Sequence, residues 1–167
     1  MHETLDTERL TLRHFVEADL DPYARMCADP ETMRYLGSGA TVSRADAWRS
    51  MAMLLGHWQL RGYGMWAVEE KQTGQFIGRL GLHYPEGWPA LEVGWLIDRS
   101  RWGRGLATEG GRAAMQFAFE RLQLERLASV IHPQNAASIR VAEKLGMRPE
   151  RGAQINGVDV VIYSRGR

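Results

Sequence analysis

A strand-like run that leads into a basic, glycine-rich turn and then a helical pattern most constrains how this chain can fold. The segment is DRSRWGRGLATEGG, residues 98–111. Gly103 and Gly105 carry no side chains, so a ligand can approach the backbone closely. The first N–H groups of the next helix lack intrahelical partners, and with the helix dipole, Arg101 and Arg104 they favour an anion. The segment predicts a phosphate or pyrophosphate site; a plain turn with two solvated arginines is the alternative.

Two families of phosphate-binding loops can be compared with this turn. A Walker loop needs a lysine after its second glycine, and no such lysine is present. The dinucleotide fingerprint G-x-G-x-x-G nearly fits, with Thr108 in place of the third glycine and Glu125 at the spacing of a ribose-binding acid. That fingerprint opens a parallel, doubly wound sheet, whereas most of the helices and hairpin-like strands precede it here. A nicotinamide-dinucleotide oxidoreductase is therefore the weaker interpretation.

The remaining patterns predict an α+β fold. Strand-like alternation or apolar runs occupy residues 8–14, 65–70, 74–84, 90–98, 126–132 and 158–165. Helical patterns occupy residues 15–36, 43–62, 106–118 and 135–147. Short turns between the middle strands favour antiparallel hairpins. The order predicts a mostly antiparallel sheet that contains a βαβ-like unit around residues 91–132.

Length and charge limit the classes of protein that fit. The 167 residues are enough for one domain, which we expect to span residues 1–167. The net charge of +1, from 21 basic and 20 acidic residues, gives no case for a nucleic-acid or membrane-surface partner. A single cysteine, Cys27, excludes an internal disulfide framework and a multi-cysteine metal site. Without a signal-peptide core or a spanning apolar run, a cytoplasmic protein is expected.

Motifs along the chain resemble one family more closely. The turn W-G-R-G-L-A resembles the pyrophosphate-binding segment R/Q-x-x-G-x-G/A of the GNAT superfamily of N-acetyltransferases. TERLTLRHFVEADL, FIGRLGLH, LEVGWLID and NAASIRVAEKLGM resemble further segments of the branch that contains the RimJ/RimL-type ribosomal-protein N-terminal acetyltransferases. The resemblance runs from residue 7 to residue 163. It implies a GNAT-like sheet of six to seven strands with about four helices, splayed between strands four and five.

The resemblance implies an acetyl-CoA site in that splay. Trp95, Leu96 and Ile97 would offer backbone groups to the pantetheine arm, although a pure core strand would show the same pattern. Asn135 would lie near the thioester, and its alternative role is a helix N-cap. The pyrophosphate would lie against Trp102, Gly103, Arg104, Gly105, Leu106 and Ala107.

The catalytic residues implied by the resemblance are Glu92 and Ser138. Many family members carry a tyrosine as general acid at the position of Ala142, so here the acid is Ser138, a water or nothing. Glu92 is the expected base, acting directly or through water, and an ordinary exposed strand carboxylate is its alternative. A backbone N–H near Leu96 would stabilise the oxyanion. Secondary base candidates are His83, Tyr84 and Glu86, and the residues interpreted as structural are His14, Cys27 and His132.

The sequence therefore predicts an acetyl-CoA-dependent N-acetyltransferase in which a primary amine attacks the thioester directly. The amine belongs to a peptide or protein N-terminus or to a small molecule, and no metal is required. A non-catalytic CoA-binding or regulatory module is the second interpretation, because the tyrosine is missing. The segments 33–43, 48–58 and 84–89, together with the C-terminal strands, are expected to form the acceptor wall. The resemblance also allows a homodimer.

Overall fold

The computed structural model describes residues 3–167, which form strands and helices in mixed order. The strands are β1 Leu5–Asp6, β2 Leu10–Arg13, β3 Met65–Glu70, β4 Gln75–His83, β5 Glu92–Ile97, β6 Arg126–Ile131, β7 Arg148–Ile155 and β8 Val158–Gly166. The α-helices are α1 Leu20–Cys27, α2 Pro30–Met33, α3 Arg44–Arg61, α4 Leu106–Gln116 and α5 Ala136–Lys144. A π-helical turn, Phe117–Arg121, extends α4.

Eight strands form one sheet in the order β1-β2-β3-β4-β5-β6-β8-β7. Every neighbouring pair is antiparallel except β5 and β6, which are parallel. This confirms the predicted α+β class and mostly antiparallel sheet, but the predicted count of six to seven strands was too low. The sequence patterns missed β1, which has two residues, and β7, which is an exposed edge strand that contains Pro149 and Gly152.

Local chemistry explains where the helices that border the site begin and end. Ser43 accepts a hydrogen bond from the N–H of Asp46 at 3.1 Å and starts α3, and Gly62, with φ of +73°, ends it. Asn135 accepts from the N–H of Ser138 at 3.1 Å and starts α5 in the same way. Within residues 3–167, the helices include none with the length and apolar character needed to cross a membrane.

Helices cover the sheet on both faces, so alternate residues of each strand point into different clusters. Val93 and Ile97 of β5 pack into a core with Leu106 and Ala114 of the α4 region. Leu96, with the opposite orientation, packs into the core built on α1 and α3. Because side chains alternate along a strand, Glu92 and Gly94 share the α1/α3 face with Leu96.

Strands β5 and β6 separate after a short contact. Only one residue pair, Glu92 with Ala128, joins them in register, whereas β4 and β5 are paired over six. The predicted splay is therefore confirmed; its strands four and five are β5 and β6 once the short β1 is counted. The separation leaves the far end of β5 without a strand neighbour on one side.

Candidate active site

A groove of about 520 Å³ opens where β5 and β6 diverge, a volume typical of small-molecule sites. The end of β5, the glycine turn, the start of α5 and the segment at 31–36 form its walls. The predicted cofactor and acid residues that line it are Trp95, Leu96, Ile97, Trp102, Gly103, Gly105, Leu106, Ala107, Asn135 and Ser138. Residues far apart in sequence are thus brought together in one place.

The backbone of β5 offers hydrogen-bonding groups to this groove. The N–H of Asp98 donates to the carbonyl of Ile77 at 2.7 Å, which fixes the phase of the β4–β5 ladder. Because bonded pairs alternate in an antiparallel ladder, the backbone groups of Leu96 point to β4, and those of Trp95 and Ile97 point to the splay. Leu96 therefore does not direct its N–H group into the groove. The N–H groups that face the splay belong to Trp95 and Ile97.

Side-chain donors already form hydrogen bonds with the backbone carbonyls of the strand residues on either side of Trp95. The hydroxyl of Ser129 donates to the carbonyl of Val93 at 2.6 Å, and the indole of Trp102 donates to that of Ile97 at 2.7 Å. The peptide groups of Trp95 lie between these two contacts. An extended molecule with amide groups could pair with this strand edge as a peptide does.

The glycine turn adopts a conformation that side chains disfavour. Gly103 and Gly105 have φ of +74° and +77°, in the left-handed region. A Cβ at Gly103 would meet no heavy atom within 4 Å, so the backbone is open on that side. Helix α4 starts directly afterwards, with the N–H of Glu109 bonded to the carbonyl of Gly105 at 3.0 Å. Its first N–H groups are available to an anion.

The two arginines of the turn are held by Glu70, a residue that the sequence patterns did not single out. Nε of Arg101 lies 3.1 Å from one oxygen of this buried carboxylate, and a guanidinium nitrogen of Arg104 lies 2.9 Å from the other. Burial opposes ionisation, but hydrogen bonds from Arg101 and Thr73 hold the pKa of Glu70 below its ordinary value. Neither arginine is simply solvated; both fasten the turn to the end of β3.

At the inner end of the groove, Ser138 contacts Trp95. The Trp95 indole N–H lies 3.2 Å from Oγ of Ser138. An indole N–H can only donate, so the serine oxygen accepts and its own hydrogen remains available to donate. Asn135 combines its two expected positions: it is the N-cap of α5 and also lines the groove. Ala142 is fully buried, so the position where many family members carry a tyrosine offers no proton donor to the groove.

Glu92 lies on the α1/α3 face of β5, and it is buried rather than the exposed carboxylate that the sequence also allowed. Only 9% of the residue is exposed. The indole of Trp88 donates to Oε2 at 2.8 Å, and the N–H of Val130 donates to Oε1 at 3.3 Å. Burial raises the pKa of Glu92 to about 7, against the opposing effect of these two hydrogen bonds. A carboxyl group with this pKa exchanges protons readily at neutral pH.

His83 faces Glu92 across the β4–β5 ladder. Burial lowers the pKa of His83 to about 4, and the nearby charge of Arg79 adds to the effect. The imidazole is therefore neutral at pH 7, and it is a weaker base than Glu92. Its stacking partner His57 accepts from the N–H of Tyr84 at 3.0 Å, so His57 is a structural residue.

The other candidates lie away from the reacting region. Glu86 has a side chain that is 99% exposed, and it pairs weakly with Arg61 at 3.5 Å. The Arg61 guanidinium lies over the ring of Tyr84. The rings of His14 and Trp58 are 4.5 Å apart, and those of His132 and Tyr35 are 5.1 Å apart; Cys27 is buried. Among residues 3–167, no group of acidic, histidine and cysteine side chains is arranged to hold a metal ion.

Comparison with known proteins assigns this chain and its fold to a class. Residues 9–148 match the acetyltransferase (GNAT) domain family. The chain is 30% identical to p20 of Bacillus licheniformis, named as an N-acetyltransferase, over 89% of this chain and 84% of p20. It superposes on the crystal structure of an acetyltransferase from Agrobacterium tumefaciens str. C58 with a TM-score of 0.88 and 33% identity, covering 99% and 95% of the two chains.

A RimL structure, described as a ribosomal L7/L12 alpha-N-protein acetyltransferase in complex with coenzyme A, also shares the fold. Its TM-score is 0.81 at 21% identity, with 98% of each chain covered. The class of this protein is therefore that of the acyltransferases. More specifically, it belongs to the GNAT family of N-acetyltransferases, which use acetyl-CoA, and its structural neighbours include the RimL type.

Proposed function

We propose that this chain transfers the acetyl group of acetyl-CoA to a primary amine by direct attack on the thioester. The observation that carries the proposal is the position of Trp95 on the separated edge of β5. Its indole contacts Ser138 in the groove where β5 and β6 diverge. Three residues earlier on β5 and on the opposite face of the sheet, Glu92 carries a buried carboxyl group with a pKa of about 7. Groups that could serve an acid and a base thus flank one unpaired strand edge.

The groove fits the CoA part of the co-substrate in chemical terms. The open backbone at Gly103 and the first N–H groups of α4 suit a pyrophosphate. The unpaired peptide groups around Trp95 suit the two amides of a pantetheine arm. The N–H groups of Trp95 and Ile97, rather than that of Leu96, are the donors that we assign to the developing oxyanion. Arg104 forms an ion pair with Glu70, so we assign it mainly to holding the shape of the turn. Only part of its charge is then available to the pyrophosphate.

The residues then have separate tasks in the transfer. Bound acetyl-CoA supplies an acyl carbon that accepts an amine and a thiolate that leaves. Glu92, ionised, accepts the proton that the amine nitrogen loses, directly or through water. Ser138 donates its hydroxyl hydrogen toward the departing sulfur, helped by the indole that holds its oxygen as an acceptor.

A base with a pKa near 7 suits an acceptor that is already partly neutral. An α-amino group titrates near ~8 and a lysine near ~10.4, so the neutral fraction differs by about two and a half powers of ten at pH 7. That difference is roughly 3.3 kcal/mol at ~1.36 kcal/mol per unit. The proposal therefore favours an α-amino group or a small amine of similar pKa over a lysine side chain.

The direct test is thiol release from acetyl-CoA against a panel of N-terminal peptides, amino acids, polyamines and aminoglycosides. Turnover with one class supports the proposal and identifies the acceptor. Binding of CoA in a calorimeter without turnover of any amine would favour the non-catalytic module. Tighter binding of a nicotinamide dinucleotide than of CoA would contradict both. One catalytic domain over residues 1–167, a cytoplasmic location and a homodimer remain predictions.

A further inference from the structure

The loop between β4 and β5 carries the one side chain that donates to the Glu92 carboxyl group. The loop covers residues 84–91, and its tryptophan, Trp88, donates the indole N–H to Oε2 of Glu92 at 2.8 Å. Glu92 is only 9% exposed and does not line the groove between β5 and β6. Because so little of the residue meets solvent, an amine can reach its carboxyl group only if a covering side chain moves aside.

The other neighbours of this carboxyl group are fixed parts of the sheet and the core. The N–H of Val130 on β6 donates to Oε1 at 3.3 Å. A Cβ placed at Gly94 would lie 3.3 Å from Oε1 and only 2.9 Å from the ε-methyl group of Met65. Met65 is 3% exposed and belongs to the core built on α1 and α3. Oε1 is therefore enclosed by atoms that cannot move without disturbing the fold, and Oε2 is the oxygen covered by a loop residue.

Few contacts attach Trp88 to the rest of the chain. Within residues 3–167, its indole forms the hydrogen bond to Glu92 and an edge contact with the ring of His83, with the centroids 5.3 Å apart. It is a member of neither hydrophobic core. The preceding Gly87 has φ of +81°, and a Cβ there would meet no heavy atom within 4 Å. Moving the indole away from Glu92 therefore breaks one hydrogen bond and one ring contact and leaves both cores intact.

An amine can replace the indole as the donor to Oε2. The indole N–H donates one neutral hydrogen bond and accepts none. An amine nitrogen donates to the same oxygen, and a charged ammonium donor binds a carboxylate more strongly than a neutral one does. The carboxyl group of Glu92 then keeps a hydrogen-bond partner after the exchange, so a buried oxygen is not left unpaired. The exchange also brings the amine into direct contact with its base.

We propose that Trp88 is a positioning residue for Glu92: its indole holds and covers Oε2 before the acceptor binds, and the acceptor amine displaces it. The inference rests on the proposed function and assigns one residue of the expected acceptor wall at 84–89 to the base. Loss of the indole should change both the ionisation of Glu92 and the KM for the amine. A tryptophan that only stabilises the loop would change neither.

Other titratable or charged groups lie around this pair and its loop. They come from the loop itself, from β4 and from α3: Tyr84, Glu86, Arg79, His83, His57 and Arg61. Arginine stays charged throughout the pH range of a protein titration. Burial lowers the pKa of His83 to about 4, so this imidazole stays neutral near pH 7. A comparison with Glu92→Gln separates the ionisation of Glu92 from that of every other group.

The first measurement needs no turnover. The indole N–H resonances of the six tryptophans are followed by NMR of nitrogen-labelled protein as the pH is raised, and the resonance of Trp88 is identified by its absence from Trp88→Phe. We expect this resonance to shift with a midpoint near pH 7 as Glu92 ionises, and to lose that shift in Glu92→Gln. A Trp88 resonance that does not follow Glu92 would overturn the inference, whether or not an amine is acetylated.

Steady-state kinetics then test the displacement. Trp88→Phe keeps an aromatic cover but loses the donor that lowers the pKa of Glu92, so the midpoint of the kcat–pH profile should rise by about half to one pH unit. Trp88→Ala removes the group that the amine displaces, so the KM for the best amine of the panel should fall by about three-fold or more. Leu60→Ala, which removes a side chain that is 86% exposed, is the control and should change neither quantity.

The outcomes distinguish this inference from the proposed function. If no amine is acetylated while the Trp88 resonance follows Glu92, the proposed function fails and the hold of Trp88 on Glu92 stands. A higher KM for the amine in Trp88→Ala would mean that the indole binds the acceptor instead of giving way to it, which would overturn the displacement. An unchanged midpoint in Trp88→Phe would overturn the role of Trp88 in positioning the base.

Discussion

The two sides of β5 are built in different ways. On the groove side, the CoA site that we propose depends on the backbone: the unpaired peptide groups of Trp95, the open turn at Gly103 and the first N–H groups of α4. On the α1/α3 side, the chemistry that we propose depends on side chains: burial raises the pKa of Glu92 and lowers that of His83. A backbone site suits a ligand that all family members share, whereas side chains can change the acceptor without altering the fold.

The two sides of β5 also differ in how their charged side chains are paired. The charges of the groove side are paired: Arg101 and Arg104 both bind Glu70. On the α1/α3 side, Glu92 is held by two neutral donors, and no carboxylate within residues 3–167 hydrogen-bonds to Nε of Arg79. Paired charges hold a structure in place, and isolated ones are available for substrates and protons. Substitutions on the two sides should therefore affect different quantities.

The largest effect is expected from Glu92→Gln. Loss of the base should lower kcat by about a hundred-fold, the lower range for general base catalysis, while CoA binding is retained. The wild-type rate should rise with pH through about 7 as Glu92 ionises, and this step should vanish in the variant. The checks are steady-state kinetics over pH and calorimetric titration with CoA.

Glu86→Gln is the matched control for that substitution, because Glu86 is an exposed carboxylate that lies away from the reacting region. It should leave both the rate and the pH profile unchanged. If the Glu92→Gln variant had the wild-type kcat, Glu92 would not be the base. The proposed difference between the groove side and the α1/α3 side of β5 would then be contradicted.

The same substitution should change how stability depends on pH. The pKa of Glu92 is raised from 4.5 to about 7 in the folded chain, so between these values the folded state keeps a proton that the unfolded state releases. Folding stability therefore decreases as pH rises through this window, by about 3 kcal/mol in full at ~1.36 kcal/mol per unit. Glu92→Gln should match the wild type near pH 5 and be more stable near pH 8, as measured by urea unfolding. A constant difference between the two at both pH values would argue against a raised pKa.

On the groove side, Glu70→Gln should act on binding rather than on chemistry. It removes the acceptor shared by Arg101 and Arg104, which loosens the turn and lowers stability by about 1–2 kcal/mol, a value reduced for the partial exposure of both arginines. The KM for acetyl-CoA should rise several-fold while kcat changes little. Exposed Glu143→Gln on α5 is the control and should change neither. A fall in kcat at unchanged KM would mean that the turn affects the chemistry directly.

Features that depend on a short stretch of sequence could be predicted, whereas features that depend on contacts between distant residues could not. The glycine turn and the N-cap of α5 are consequences of short contiguous motifs. The splay and the groove at it were implied by the resemblance to the GNAT family rather than by any local pattern. Strand β7 was missed because its exposed, proline-containing sequence shows no alternation, although the Asn156–Gly157 pair, with φ of +49° and +81°, is a typical hairpin turn.

The network around Glu70 and the pairing of Gly81 with Gly94 could not be predicted in this way. Glu70 lies at the end of β3, some thirty positions before the arginines that it binds, and no local pattern relates them. The glycine pair depends on the register that sets Gly81 opposite Gly94. Whether a carboxylate of residues 3–167 reaches Nε of Arg79 depends on which acids the packed helices bring near it. Such features arise only when strand pairing and side-chain burial are both known.

The smallest effect on kcat is expected for substitutions of Trp95 and Ser138, which contact each other in the groove. Ser138→Ala should lower kcat by less than about ten-fold, because a thiolate with a pKa near ~8.5 is already a tolerable leaving group. Trp95→Phe removes the indole N–H but keeps an aromatic side chain, so it should lower kcat to a similar extent. If the indole acts only through the serine, the double variant should be no slower than Ser138→Ala alone. Additive losses in kcat, or a change confined to the KM for acetyl-CoA, would show that Trp95 serves only as a wall of the groove.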